Sequence, residues 1–357
     1  MNSKKPINSI VVFGTNWVGD AVMTIPALRE LRRIFPDAAI SLFTRSWAEG
    51  IFSNASFVDD IIAFDNSKNR VKSVLDQARF LREGRFDAAI MFPNSFQSAL
   101  TAAASGIPRR IGYNKDLRGL LLTDPLAVPE WKSKRHEVFY YLNLIAEVEK
   151  RHLGTDTVQQ SEPDSTLEIS DERRREARSI LAAAGVDLSK TIIALGVGST
   201  NSRAKRWPAQ RYAELNDKLQ SEINASVILV GSHDEIEISA EVLNLSQRKP
   251  QNLTGSTDLA QAAAILGEVD LLISNDMGLA HLAPAVGTKT LVIFGPTNPE
   301  TTRPFSRKVD VIREPVECSP CMLRDCPIDH RCMTRISVDE VFTMAVQSLM
   351  SDKCASI

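Results

Sequence analysis

The stretch "SIVVFGTNWVGDAVMTIPALRELRRIFP", residues 9–36, decides the fold. An apolar run from Ser9 to Phe13 stops at Gly14, a turn closes at Gly19, and Val18, Val22, Ile25, Leu28 and Leu31 recur at helical spacing. This is a strand, a glycine turn and a helix, the opening unit of a doubly wound α/β sheet. The glycine spacing is that of a phosphate-binding loop, yet where such a loop carries Lys and then Ser or Thr, this one carries Asp20 and Ala21. A carboxylate repels phosphate, so the turn is expected to meet a different group. One reading of Asp20 is simple complementation of the helix dipole, worth ~0.3–1 kcal/mol. The other is a general base that takes a proton from a hydroxyl at the mouth of a strand.

The same pattern repeats outward. Residues 38–43 ("AAISLF"), 59–64 ("DDIIAF") and 86–92 ("FDAAIMF") alternate with helical segments, and the alternation resumes at 191–198 ("TIIALGVG"), 225–231, 269–275 and 289–295. Strands alternating with helices predict parallel sheets with helices on both faces. At 357 residues the chain exceeds the size, about 250–300 residues, at which one core stops growing, so two domains are expected. The polar segment from Thr155 to Ser170 is the expected connection. The predicted domains are 1–170 and 171–335, followed by a terminal helix over 336–357 in which Ser337 and Glu340 form a capping box.

Composition excludes several classes. A net charge of -2 argues against a general nucleic-acid binder, and no apolar run approaches the roughly 20 residues of a membrane span. Four of five cysteines crowd between Cys318 and Cys332, unlike the framework of a small secreted protein, so the cytosol is the expected compartment. Cys318 and Cys321 form a CxxC pair with Cys326 and Cys332 behind it, open to reading as a zinc knuckle or as structural thiols.

Two further stretches carry chemistry. In "LGVGSTNSRAKRWPAQRYAEL" (195–215), hydroxyls at Ser199 and Thr200 and cations at Arg203, Lys205 and Arg206 follow a strand end, a combination that binds anions. In "VDLLISNDMGLAHLAPAVGTKTLVIFGPTNP" (269–299), Asn275 ends a strand and Asp276, Met277 and Gly278 open a helix carrying His281. A helix N-terminus with a glycine for close approach suits a diphosphate, while Asp276 is expected to cap that helix and accept from sugar hydroxyls.

Together "NWVGDAVMTIPALRELRRIFPDA", "AKRWP", "SNDMGLAHLAPAVGTKTLVIFGPTNP" and "CSPCMLRDCPIDHRCM" resemble the lipopolysaccharide heptosyltransferases of glycosyltransferase family nine, in order and along nearly the whole chain. The resemblance implies a GT-B fold: two Rossmann-like, doubly wound α/β domains facing a central cleft, the acceptor on the first, the nucleotide sugar on the second, and a final helix crossing back to the first. It implies inverting transfer of heptose from ADP-heptose to the inner core of lipopolysaccharide. Asp20 matches the family's catalytic aspartate, Thr200 and Lys205 its donor-phosphate residues with Ser199 beside them, and Asp276, Gly278 and His281 its donor motif. Met277 stands where the branch that adds the first heptose usually has Thr, which favours the second-heptose step. No metal or other cofactor is expected, because Lys205 and the helix opening after Asp276 supply the positive charge. Asn16, Arg110, Lys115 and Arg118 are the candidate contacts to the phosphorylated acceptor, the last three within the basic loop "RRIGYNKDLRG" (109–119). That acceptor would draw the enzyme to the cytoplasmic face of the inner membrane. The rival readings are a heptosyltransferase acting on another core acceptor, for the first or third heptose, a nucleotide-sugar epimerase, a nucleotide-sugar sensor without chemistry and, more weakly, an NAD-dependent oxidoreductase, which the absence of GxGxxG disfavours.

Overall fold

The computed structural model describes residues 6–65, 69–160 and 162–350; residue 161 of the expected connection and residues 351–357 of the expected terminal helix lie outside the described residues. The chain divides into two compact units, residues 1–165 and 166–357.

In the first unit six strands, β1 (Ser9–Phe13), β2 (Ala39–Arg45), β3 (Asp60–Phe64), β4 (Ala88–Met91), β5 (Arg109–Tyr113) and β6 (Asp124–Leu126), form one sheet in the order β3-β2-β1-β4-β5-β6. Every pairing is parallel. A parallel sheet covered on both faces buries both sides of its strands, which is why Ile10, Val11 and Val12 are an uninterrupted apolar run with no exposure. Gly14 is required where β1 ends: a Cβ there would stand 2.8 Å from Thr44 Oγ1 of the neighbouring strand. The helix expected after the turn is two helices, Val18–Met23 and Ile25–Ile34. Pro26 has no N–H to donate to the Val22 carbonyl, so the chain breaks at Thr24, whose hydroxyl donates to Ala21 O at 2.7 Å.

The basic loop expected over 109–119 is in part strand: Arg109–Tyr113 pairs with β4 as β5. Its two arginines hid a strand that buries Ile111 and Tyr113.

The second unit repeats the plan with β7 (Ile192–Gly196), β8 (Ser226–Leu229), β9 (Gln251–Asn252), β10 (Leu271–Asn275), β11 (Lys289–Phe294) and β12 (Val309–Arg313), in the order β12-β11-β10-β7-β8-β9. The helix Val338–Met350 belongs to this unit. It packs on the Ala209–Glu222 helix and on β10 and β11, and sinks Val341 and Ala345 into the core formed with Ile193, Trp207 and Ile293. The part of the expected helix beyond Met350 lies outside the described residues. Its start is the capping box read from sequence, with Ser337 N–H donating to Glu340 Oε2 at 2.8 Å and Glu340 N–H to Ser337 Oγ at 3.3 Å. Among the described residues no helix is long and apolar enough to cross a membrane.

In both sheets the strand order reverses once, between β1 and β4 and between β7 and β10. At such a switch point the loops leaving the carboxyl ends of the two central strands diverge and open a crevice, the place where open α/β sheets bind ligands.

Candidate active site

At the first switch point, the turn after β1 delivers Asp20 into the first turn of the Val18–Met23 helix. The Tyr141 hydroxyl, on the long helix Glu137–His152, hydrogen-bonds to the Asp20 carboxylate. Burial, and then the charge of Asp20, push that phenol well above its ordinary value. It therefore stays protonated and donates. Asn16 and Trp17 are exposed on the same turn. Sequence reasoning missed Tyr141 because its contact with Asp20 spans the whole first unit and no local pattern announces it.

The other expected acceptor contacts behave differently. Arg118 has no exposed surface: Nε donates to Tyr113 O at 2.7 Å, one Nη to Pro93 O and the other to Asn94 Oδ1 at 3.2 Å. Burial pulls its guanidinium below its ordinary value. Its three nitrogens are spent inside the protein, so the role as an acceptor contact is corrected to a structural one. Arg110 is likewise tied to the Leu121 and Ile107 carbonyls. Lys115 is exposed.

At the second switch point the loops after β7 and β10 meet. Lys205 Nζ lies 2.7 Å from Asp276 Oδ2, and Thr297 Oγ1 donates to the same oxygen at 2.8 Å. Asp276 is buried and its carboxylate is held sideways by these two donors, so it does not cap the next helix as expected; Met277 occupies the cap position without a side-chain bond. The helix Gly278–Ala285 thus begins with backbone N–H groups that no side chain covers at the cap, and carries buried His281 within it. Ser199 is buried and its carbonyl accepts from Arg206 Nη2 at 3.1 Å, whereas Thr200 is exposed.

The framework holding Lys205 is built by two residues. Asn275, fully buried, accepts at Oδ1 from the Trp207 backbone N–H at 2.9 Å and the Tyr212 hydroxyl at 3.1 Å, and donates through Nδ2 to the Val197 and Gly198 carbonyls. Trp207 itself has no exposure, and its indole donates to Ile336 O at 3.0 Å. The Asn275 amide therefore ties both ends of the lysine loop to the central strand β10, and the indole ties Trp207 to the segment ahead of the Val338–Met350 helix. Behind Gly198 sits Glu235, whose carboxyl would be 2.2 Å from a Cβ at that glycine; burial pushes it above its ordinary value. Sequence reasoning did not single out Glu235, since its capping-box partner Ser232 gives it a sufficient local role.

The cysteine-rich loop closes over this framework. Ala204 N–H donates to Arg324 O at 2.9 Å, His330 Nε2 to Ala204 O at 2.6 Å, and Arg203 pairs with Asp325 at 2.6 Å. Cys318 and Cys321 are exposed and Cys332 is buried, its thiol pushed up to about 11 by burial and then by the neighbouring cysteines. Among the described residues no group of three or more His, Cys, Asp or Glu side chains is placed to hold a metal ion.

Two doubly wound units, one with a carboxylate at its switch point and the other with a lysine and an open helix N-terminus, define the class of GT-B glycosyltransferases. Residues 74–331 match the model of glycosyltransferase family 9 (heptosyltransferase), and the chain belongs to that family. It is 30% identical over 318 residues to lipopolysaccharide heptosyltransferase 2 of Salmonella typhimurium, covering 85% of this chain and 87% of that one. The structure of ADP-heptose lps heptosyltransferase II of E. coli superimposes with a TM-score of 0.82 at 27% identity, over 97% of this chain and 99% of that one. A family 9 glycosyl transferase from Veillonella parvula shares the fold with a TM-score of 0.85 at 23% identity, over 98% of this chain and all of that one.

Proposed function

We propose that this protein transfers heptose from ADP-heptose to the first heptose of the lipopolysaccharide inner core, with inversion at the anomeric carbon. The observation that carries the reading is the meeting of Lys205 and Asp276 at the second switch point, in a chain similar over most of its length to heptosyltransferase 2 proteins. The donor diphosphate is held by Lys205, by Ser199 and Thr200, and by the open N-terminus of the Gly278–Ala285 helix, with Met277 and His281 beside it. Asp276 accepts from heptose hydroxyls and aims Lys205.

Asp20 takes the proton of the acceptor hydroxyl as its oxygen bonds to the anomeric carbon. The bond from that carbon to the diphosphate oxygen breaks, its electron pair leaves with ADP, and Lys205 stabilises the charge that develops there. With this charge met by protein groups, no metal is needed for the transfer. Asn16 lies on the acceptor side, next to Asp20.

The test incubates the protein with ADP-heptose and either a one-heptose or a heptose-free inner-core acceptor. Transfer is expected to the one-heptose acceptor. Transfer only to the heptose-free acceptor would overturn the assignment to the second step, and turnover of donor without acceptor would favour the epimerase reading. Asp20→Asn should abolish turnover, by about 10²–10⁴-fold, with donor binding retained.

A further inference from the structure

The two loops that diverge at the first switch point each carry an exposed ring, Trp17 after β1 and Phe96 after β4. They start their helices differently. Ser95 caps the helix of Phe96 in the ordinary way, accepting from the Ser98 N–H at 3.0 Å, and Asn69, Ser170 and Asp258 do the same for theirs. Trp17 is itself the cap residue of the Val18–Met23 helix, and an indole has no acceptor to offer, so the first N–H groups there receive no side-chain bond from the cap. The position forgoes a cap and holds a large ring in water instead. Of the four tryptophans, Trp207 is fully buried, Trp47 and Trp131 are half-buried, and Trp17 is 52% exposed.

The helix start fixes where that ring stands relative to Asp20. Trp17 is the cap and Asp20 the third helical residue, the two positions whose side chains lie side by side in a capping box, as those of Ser337 and Glu340 do. Gly19 between them adds no side chain. The turn is anchored at both ends: Gly14 N–H donates to Phe43 O at 2.9 Å, and Ala21 N–H to Trp17 O at 2.8 Å. Tyr141 holds the Asp20 carboxylate from a separate helix. A flat apolar face therefore stands beside the carboxylate, on a backbone that is tied down.

We propose that Trp17 is the platform on which the reacting sugar of the acceptor lies, turning its hydroxyl toward Asp20. A sugar ring is amphipathic: its C–H bonds gather on a face that packs on an aromatic ring, while its hydroxyls leave the ring edge for polar partners. A ring laid on the indole presents an edge hydroxyl to the neighbouring carboxylate. The inference rests on the reading of Asp20 as a base toward a sugar hydroxyl. Trp17 touches the substrate and takes no part in bond making.

The experiment has two arms. In the first, steady-state kinetics with ADP-heptose and a lipid-free, one-heptose inner-core oligosaccharide compare wild type with Trp17→Ala, Trp17→Leu and Trp17→Phe. The alanine and leucine variants should raise the acceptor KM about tenfold with donor KM and melting temperature unchanged, and phenylalanine, which keeps a flat ring, should recover most of the loss. In the second arm the same oligosaccharide is titrated without donor while tryptophan fluorescence is quenched with acrylamide. It should shield the component that wild type has and Trp17→Phe lacks. An unchanged acceptor KM in Trp17→Ala overturns the proposal, as does a leucine variant equal to phenylalanine, an equal rise in donor KM, or an absence of shielding. So does a Trp17→Ala variant that differs from wild type only in melting temperature or oligomeric state, since packing or a second copy would then be what the indole serves. If wild type transfers no heptose yet the oligosaccharide shields Trp17, the proposed function fails and the platform stands. If transfer proceeds and Trp17→Ala matches wild type, the function stands and the platform fails.

Discussion

The hydroxyl of Tyr141 donates to the carboxylate of Asp20, joining the long helix Glu137–His152 to the turn that opens the first sheet. A carboxylate at the start of a short helix rotates about two bonds, and a buried hydroxyl donor restricts that rotation. Tyr141→Phe removes the donor and keeps the ring. We expect kcat to fall by about tenfold with the donor KM unchanged, as for a loss of orientation at the base. An equal rise in the donor KM would show that Tyr141 acts elsewhere.

Lys205 and Asp276 form the corresponding relationship in the second unit. Lys205→Ala should cost about 10²–10³-fold in kcat, because the charge on departing ADP then lacks its cation. Lys205→Arg should recover part of that loss. Asp276→Asn leaves Thr297 a partner but loosens Lys205, so both donor KM and kcat are expected to suffer, read by steady-state kinetics across donor concentration.

Trp207 tests whether the lysine loop is held by the core. Its indole is fully buried and bonded to Ile336 O, so Trp207→Ala should destabilise the protein by about 3–5 kcal/mol. Thermal melting measures this directly. Trp207→Phe, which keeps most of the packing and loses the N–H, should melt between the two and retain more donor affinity than Trp207→Ala.

Reversal of Arg118 separates a structural role from a binding one. Arg118→Glu leaves three oxygens facing a buried carboxylate and should cost about 3–5 kcal/mol, visible as a lower melting temperature. An unchanged melting temperature with a raised acceptor KM would restore it to the acceptor site.

Glu149 sets an acid limit on the first unit. Burial alone would raise its carboxyl, but hydrogen bonds from the Thr157 hydroxyl, the Val158 and Thr157 backbone N–H groups and the Thr155 hydroxyl outweigh burial and hold it at about 2, against 4.5 when free. Because the folded value is depressed, its contribution is complete above the free value and is lost as pH falls from there through 2. The full contribution is on the order of 3 kcal/mol. Glu149→Gln should therefore lower the melting temperature at pH 7 and flatten its decline between pH 5 and pH 2, roughly the window that linkage sets. An unaltered acid profile would count against it.

The readable part of the site was the part written in short windows. The glycine turn with Asp20, the basic loop after β7 and the helix opening at Gly278 each announce themselves within a dozen or so residues, because a strand end, a tight turn and a helix start have local backbone requirements. Positions that looked alike in sequence then parted in three dimensions. Lys115 and Arg118 stand three residues apart in one basic stretch, and one is exposed while the other is buried under three carbonyl-type oxygens. Charge alone does not say which side of a chain faces water.

The sequence by itself determined the two parallel sheets, since uninterrupted apolar strands are stable only where helices cover both faces, and it determined which loops leave the central strands. The tertiary structure alone decided the partners. That Tyr141 reaches Asp20, that Asn275 ties Trp207 to the strand ends, and that the terminal helix seals the second core depends on side chains brought together across long stretches of chain. Such contacts are selected by packing and hydrogen-bond satisfaction in the folded protein, and neither has a period that a linear sequence displays.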